Sequence, residues 1–230
     1  MRKIILIGLL VIFTLIIGSE EIKDELWLKA VQLKSQSMDV YPTQTKFSSV
    51  TKDKKGNVQQ EEVVTISHAE RDGSIINSLA EAYNSEGPLT EENESVKKYL
   101  GMDVLSKDEG VFKSETSEDF TLQRLDNEIL EGTEYAKYKI SMLTDGEKKK
   151  VESDGFIWLE LETGIPHKLS LEIDLNQMMI KSLNSNTYYS LSETGFLQTD
   201  QVVTDVAISV LFKKMFVTQT ITREKYLKLN

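Results

Sequence analysis

Residues 136–142 read AKYKISM and residues 168–175 read KLSLEIDL, and both stretches alternate between apolar and polar side chains. A two-residue period places the apolar residues of a strand on one face, so each stretch predicts a β-strand with one buried and one solvated face. Between them, residues 156–161 (FIWLEL) are apolar at five of six positions, which is typical of a strand covered on both sides. These segments predict an antiparallel sheet.

Turn signals divide the rest of the chain's second half into short strands. They recur from residue 119 onward, at 126–127, 145–146, 153–155, 163–164, 184–186 and 194–195. Regular spacing of strands and turns is typical of an antiparallel sheet or open barrel. Residues 202–212 and 215–226 predict a closing hairpin, and a helix over 206–215 is the alternative.

The first half of the chain begins with a helix and a hairpin. Apolar residues recur at helical spacing between Ile22 and Gln36, and Pro42 prevents the helix from continuing. The β-rich runs 43–51 and 58–67 flank the turn 54–57 and predict two paired strands.

A helical insert is predicted over residues 74–112. Apolar residues follow the Asp72-Gly73 turn at helical spacing: Ile75, Ile76, Leu79, Ala80 and Tyr83. A second short helix is indicated by Thr90 as its cap and Gly101 as its end. Ten acidic residues and four lysines fall between positions 81 and 118, so a solvated loop is the alternative. The predicted fold class is α+β, mainly antiparallel β, with a half-open curved sheet (an unclosed β-barrel) wrapped around helices.

The amino terminus has the layout of a secretory signal peptide. Arg2 and Lys3 precede an apolar run over residues 4–17, and small residues follow it. We predict a signal peptide over 1–19 and one mature domain over 20–230, exported to the periplasm or an equivalent space. The apolar run is shorter than the roughly 20 residues of a membrane-spanning helix, and an uncleaved anchor is the alternative. Since the chain has no cysteine, it cannot carry a lipid on one.

Composition excludes several classes of function. The formal charge is −10, and losing Arg2 and Lys3 with the signal peptide would make it −12. A chain this acidic lacks the basic surface that nucleic-acid binding requires, so we expect no nucleic-acid partner. The absence of cysteine excludes disulfides, thiol nucleophiles and Cys-ligated metals.

The sequence contains no constellation that indicates catalysis. There is no Gly-x-Ser-x-Gly motif, and His68 and His167 are the two histidines of the chain. The carboxylate pairs Glu160/Glu162 and Glu172/Asp174 have the spacing of any solvated strand face, although that spacing could also serve a glycosidase. We therefore predict no enzyme, no metal and no cofactor. The run 148–150 (KKK) could touch anionic headgroups, so membrane contact is expected to be at most peripheral.

The apolar interior is the remaining candidate site. A curved sheet with one apolar face can enclose a filled core or a cavity for acyl chains, and the residue types are the same in both cases. The predicted ligand-binding residues are Phe47, Phe120, Tyr138, Ile140, Met142, Trp158, Leu169, Leu171 and Ile173.

The order of elements resembles the periplasmic lipoprotein-carrier superfamily, which includes LolA and LolB, outer-membrane lipoprotein-sorting proteins. The resemblance is carried by residues 132–140 (GTEYAKYKI) and 156–168 (FIWLELETGIPHK), a pattern of strand, Trp, acidic residue, Thr-Gly-x-Pro-x-Lys and strand. It implies a half-open β-barrel around helices, with an apolar cavity for a lipid or lipoprotein acyl chain and no catalysis. The alternative is a protein-binding sensor or scaffold of the cell envelope with a solid core, whose acidic insert contacts a partner protein.

Overall fold

The computed structural model describes residues 20–103, 110–145, 150–175, 179–210 and 213–229. The predicted signal peptide over 1–19 lies outside these ranges, as do Lys148 and Lys149 of the predicted basic turn. Among the described residues, no helix is long and apolar enough to cross a membrane.

Strands dominate the described part of the chain, and two short helices accompany them. The helices are α1 (Glu25–Gln36) and α2 (Glu94–Leu100). The strands are β1 (Glu20–Glu21), β2 (Val40–Asp53), β3 (Val58–Arg71), β4 (Ser74–Asn84), β5 (Gly87–Pro88), β6 (Glu115–Thr116), β7 (Phe120–Arg124), β8 (Glu128–Leu130), β9 (Thr133–Asp145), β10 (Lys150–Glu160), β11 (Pro166–Asp174), β12 (Ile180–Leu191), β13 (Leu197–Val210) and β14 (Lys213–Lys228).

Twelve of the strands form one antiparallel sheet. Its order is β5-β4-β3-β2-β14-β13-β12-β11-β10-β9-β7, and β8 pairs with β9 beside this path. Strands β1 and β6 form a separate pair. Since β5 and β7 stand at opposite ends and do not pair, the curved sheet is not closed into a barrel. The predicted α+β class with an unclosed, mainly antiparallel sheet is confirmed.

Both helices lie on the same face of this sheet, which we call the inner face. Cross-strand neighbours in register share a face, and one such row crosses the sheet from β9 to β4. It consists of Tyr138, Ile157, Leu169, Thr187, Val202, Ile221, Phe47, Val64 and Ala82. Its first residues pack with α1 and its last residues pack with α2. The helices therefore cover the two ends of the inner face and leave the middle strands between them.

Helix α1 begins where the sequence places a capping residue. The Asp24 side chain accepts a hydrogen bond from the backbone N–H of Trp27 (3.0 Å), which satisfies one of the free amides of the first turn. Trp27 and Ala30 are fully buried against the sheet. The predicted amphipathic helix in this region is confirmed, over Glu25–Gln36.

Helix α2 covers the other end of the inner face. Val96 is fully buried against Val64 and Ile66, and the Tyr99 ring stacks on Phe47 with 4.2 Å between centroids. The predicted second helix is confirmed, but its N-cap is Asn93 rather than Thr90.

The helical prediction for residues 75–83 is wrong, because Ser74–Asn84 is strand β4. Asp72 and Gly73 both have positive φ (53° and 73°), the geometry of a tight two-residue hairpin turn. This turn returns the chain antiparallel to β3, where Glu70 pairs with Ile75 and Tyr83 with Val63. The predicted helical insert therefore contains one helix, α2, among its described residues.

Two predicted turns are also wrong. Residues 153–155 lie within β10 and residues 184–186 lie within β12, both paired on two sides. The other C-terminal prediction is confirmed: β13 and β14 form a hairpin, so the alternative helix over 206–215 is not formed by its described residues.

Candidate functional site

A cavity of about 390 Å3 lies on the inner face beside α1. The segment 110–113 forms one wall, and the inward side chains of β9, β11, β12 and β13 form the others. Most of these walls are apolar. The lining residues are Lys34, Gly110, Val111, Phe112, Lys113, Met142, Thr144, Leu169, Leu171, Tyr189, Leu197 and Thr199.

Trp27 fixes the wall formed by the segment 110–113. Its indole Nε1 donates a hydrogen bond to the backbone oxygen of Lys113 (2.8 Å), and its ring stacks with Phe112 at 6.0 Å between centroids. The backbone N–H of Ile22 donates to the oxygen of Ser114 (2.9 Å), and β1 pairs with β6 just beyond. The wall is thus held to α1 and to the chain that precedes it.

A polar group inside the core holds the start of α1 on the sheet. The hydroxyl of Tyr138, which is fully buried, donates to Asp24 Oδ1 (2.7 Å) and accepts from Arg124 Nη1 (2.6 Å). Burial raises the pKa of Tyr138, and the hydrogen bond to Asp24 raises it further, although Arg124 opposes the rise. The tyrosine therefore stays protonated and acts as a structural donor.

Three of the predicted ligand-binding residues line this cavity: Met142, Leu169 and Leu171. The alternation of β9 and β11 predicts them, and the register places all three on the inner face, with β10 between Met142 and the two leucines. Val111, Phe112, Tyr189 and Leu197 complete the apolar lining and were missed.

The other predicted site residues have different positions. Phe120, Tyr138 and Ile140 are fully buried in the packed core under α1. Phe47 belongs to the second core under α2, and Ile173 borders a separate hollow of about 410 Å3 near the ends of β10 and β11. The interior is thus partly filled and partly hollow.

Trp158 lies on the outer face, so the prediction that it points inward is wrong. Its neighbours in register are Lys137 and Lys168, whereas the adjacent Ile157 is in register with Tyr138 and Leu169. The indole Nε1 donates to Glu128 Oε2 (3.0 Å), and the two lysine ammonium groups lie 5.5 and 5.7 Å from its ring centroid. These contacts explain why Trp158 is buried on a solvated face.

The carboxylate pairs do not form a common cleft. Glu172 is in register with Asp154, six residues before Glu160 on β10, which separates the two positions by roughly 20 Å along the strand. Glu160 accepts from the Thr163 hydroxyl (2.6 Å) beside its own turn. Among the residues that the structure describes, no cluster of three or more His, Asp or Glu side chains is arranged to hold a metal ion.

A polar end adjoins the apolar cavity. A recess of about 40 Å3 shares Lys34, Leu197 and Thr199 with the cavity, and Arg223 and Tyr226 also line it. The Tyr226 hydroxyl donates to the backbone oxygen of Thr199. Burial raises the pKa of Tyr226 to about 12, so this hydroxyl is un-ionised at neutral pH.

His68 connects three strands and α2 beside this polar end. Its Nδ1 lies 2.8 Å from Asn77 Oδ1 and its Nε2 lies 2.9 Å from Thr45 Oγ1. The Asn77 amide in turn donates to the backbone oxygen of Leu100 at the end of α2 (2.8 Å). Burial lowers the pKa of His68 below its ordinary value of 6.5; the hydrogen bond to Asn77 opposes this effect and the charge of Arg223 adds to it.

This shift predicts a loss of stability in mild acid. Because the folded chain disfavours the charged imidazole, the unfolded chain takes up the proton at a higher pH. The contribution of His68 to the free energy of unfolding should be complete above about pH 6.5. Below that pH it should decline by up to about 1.4 kcal/mol per pH unit. Urea denaturation of the wild type and His68→Gln between pH 7 and 5 measures it. Glutamine can keep both hydrogen bonds but cannot titrate, so an equal pH dependence in the two proteins would contradict the assignment.

Comparison of the sequence with known protein-family models gives no match, and comparison with curated proteins gives none either.

Proposed function

We propose that this protein is an exported, non-enzymatic carrier or binding protein that holds a lipid or acyl chain in the cavity beside α1. The observation that carries the proposal is the cavity itself. Its volume of about 390 Å3 falls within the range of small-molecule sites, about 300–1,000 Å3, and its walls are mainly apolar.

Three further observations favour this function. The half-open sheet around helices is the architecture that the resemblance to the lipoprotein-carrier superfamily implies. The signal-like residues 1–19 favour an envelope location, where a carrier for apolar molecules has substrates. The acidic surface favours a protein that approaches anionic membranes only locally.

Burial of an acyl chain in this cavity has a measurable signature. Each methylene removed from water contributes about 0.8 kcal/mol, which corresponds to roughly a fourfold gain in affinity. Affinity in a homologous series of straight-chain alcohols should therefore rise steeply with chain length and level off once the cavity is filled.

The proposal is tested on the protein purified from the cell envelope. Native mass spectrometry and solvent extraction should recover a bound lipid, and the delipidated protein should bind the neutral probe N-phenyl-1-naphthylamine with an increase in fluorescence. A protein that emerges lipid-free and does not bind the probe would overturn the carrier function and favour the scaffold alternative.

Leu171→Asp should lower the affinity for the same probe at least tenfold. Leu171 lines the cavity, and a carboxylate there must lose its hydration when an apolar ligand enters. Leu171→Phe gives a second variant, because it reduces the volume without adding charge. Leu143→Asp is the matched control, since Leu143 is exposed on the outer face of β9, in register with Glu152. Equal loss of binding in the control would argue against this cavity as the site.

A further inference from the structure

Arg223 occupies the uncovered middle of the inner face. It is in register with Thr45 on β2 and follows Ile221 by two residues, so it points to the same side as Ile221 and Phe47. Its side chain is partly buried and lines the recess that adjoins the cavity. An arginine is ionised at any physiological pH, so this position places a permanent positive charge beside an apolar cavity.

The charge of Arg223 lacks a carboxylate partner within the described part of the chain. The four ion pairs found there, within 4 Å, involve other residues. Asp200 acts electrostatically on Tyr226 in the recess, but its carboxylate accepts hydrogen bonds from the Ser190 hydroxyl (3.0 Å) and the Gln198 amide (3.1 Å). A partly buried cation without an opposite charge is costly unless a ligand supplies that charge.

The field of Arg223 reaches both the recess and the cavity. Burial raises the pKa of Tyr226 in the recess and of Tyr189 in the cavity wall, and the charge of Arg223 opposes both increases. Lys34 lines the recess and the cavity alike. Arg223 and Lys34 therefore place positive charge at the recess end of a mainly apolar cavity, and Lys113 is a further basic residue in the wall formed by the segment 110–113.

We infer that the ligand is a single-chain anionic amphiphile, whose tail lies in the cavity and whose compact head binds Arg223 at the recess. This inference rests on the proposed function and adds the chemical class of the ligand. A carboxylate or phosphate head suits a guanidinium because two oxygens can accept two parallel N–H donors. The recess of about 40 Å3 suits a small head rather than a bulky one.

The test compares three ligands with the same twelve-carbon tail: dodecanoate, dodecyl phosphate and 1-dodecanol. Each is titrated at pH 8 against N-phenyl-1-naphthylamine bound to the delipidated protein. At least one of the two anions should displace the probe at a ten- to hundredfold lower concentration than the alcohol, the range expected for one charge-assisted interaction. Whichever anion binds more tightly identifies the head group.

Variants then assign the preference to Arg223. Arg223→Met should bring the affinity of the anions down to that of the alcohol while leaving the alcohol unchanged, and Arg223→Lys should retain part of the preference. Lys46→Met is the matched control, because Lys46 is exposed on the outer face, in register with Thr222 next to Arg223.

The possible failures are distinguishable. If the alcohol displaces the probe as well as both anions do, the inferred ligand class is wrong and the carrier function stands. If Arg223→Met keeps the anion preference, the head group does not bind Arg223 and the inferred site is wrong. If none of the compounds binds, the carrier function itself fails. The comparison on the unaltered chain decides the question even if Arg223→Met does not fold.

Discussion

Replacing Trp27 with alanine is expected to lower the free energy of unfolding by about 3–5 kcal/mol, the range for large aromatic residues removed from a core. Trp27 has 0% exposure, and its ring contacts Phe112, Phe120 and Tyr138 with centroid distances of 5.5–6.4 Å. The midpoint of urea denaturation should fall while the slope stays unchanged, which marks a change in stability rather than in the unfolded state.

The same variant should also weaken ligand binding, because Trp27 holds the segment 110–113 that forms one wall of the cavity. Trp27→Phe separates the two roles of the side chain. It keeps most of the ring packing but loses the hydrogen bond from Nε1 to the backbone oxygen of Lys113. Because that carbonyl is left unsatisfied and the ring is smaller, we expect the free energy of unfolding to fall by about 1–3 kcal/mol. If Trp27→Ala unfolds at the wild-type midpoint, the α1 core does not stabilise the fold as described.

The two tryptophans show where sequence patterns predict a structure and where they do not. Trp27 lies on the apolar stripe of a helix, and that stripe alone predicts its burial. Trp158 lies in a run that is apolar at consecutive positions, so the alternation that assigns faces is lost there. Only the register with β9 and β11 shows that Ile157 points inward and Trp158 outward.

Strand β4 shows a second limit of periodicity. The apolar residues between Ile75 and Tyr83 satisfy a helical period, and the sequence pattern alone favours a helix. Asp72-Gly73 is the stronger signal, because a two-residue turn with positive φ at both positions commits the following residues to pair with β3. Local turn chemistry therefore outweighs side-chain spacing in this segment.

The cavity could be predicted only in part. Met142, Leu169 and Leu171 follow from strand alternation, which is local. The opposite wall, including Val111 and Phe112, comes from a non-repetitive segment whose position depends on contacts with Trp27, more than 80 residues earlier in the chain. No short-range pattern encodes such a contact, and the same holds for Arg223, whose place beside the recess depends on the pairing of β14 with β2.

Gly155 is the position at which we expect a single added methyl group, in Gly155→Ala, to destabilise the fold most. A Cβ atom at this position would lie 1.9 Å from the backbone oxygen of Ser170 and 2.9 Å from the Cα of Leu171. Neither neighbour is a side chain that could rotate away, so β10 and β11 would have to separate. We expect the free energy of unfolding to fall by at least about 3 kcal/mol, the upper end of the range for overpacked sites. Urea denaturation measures it.

Gly101→Ala is the matched control for this prediction. Gly101 has a φ of −83°, and its nearest neighbour for a new Cβ is a backbone oxygen at 3.5 Å, an ordinary contact. The same methyl group there should change the free energy of unfolding by less than about 1 kcal/mol. Any change should be stabilising, because alanine lowers the conformational entropy of the unfolded chain. Similar midpoints for Gly155→Ala and the wild type would show that the two strands are not in such close contact. Gly155 is in register with Leu171, which lines the cavity, so a separation of β10 from β11 would also move part of the cavity wall. Gly155→Ala should therefore reduce probe binding together with stability.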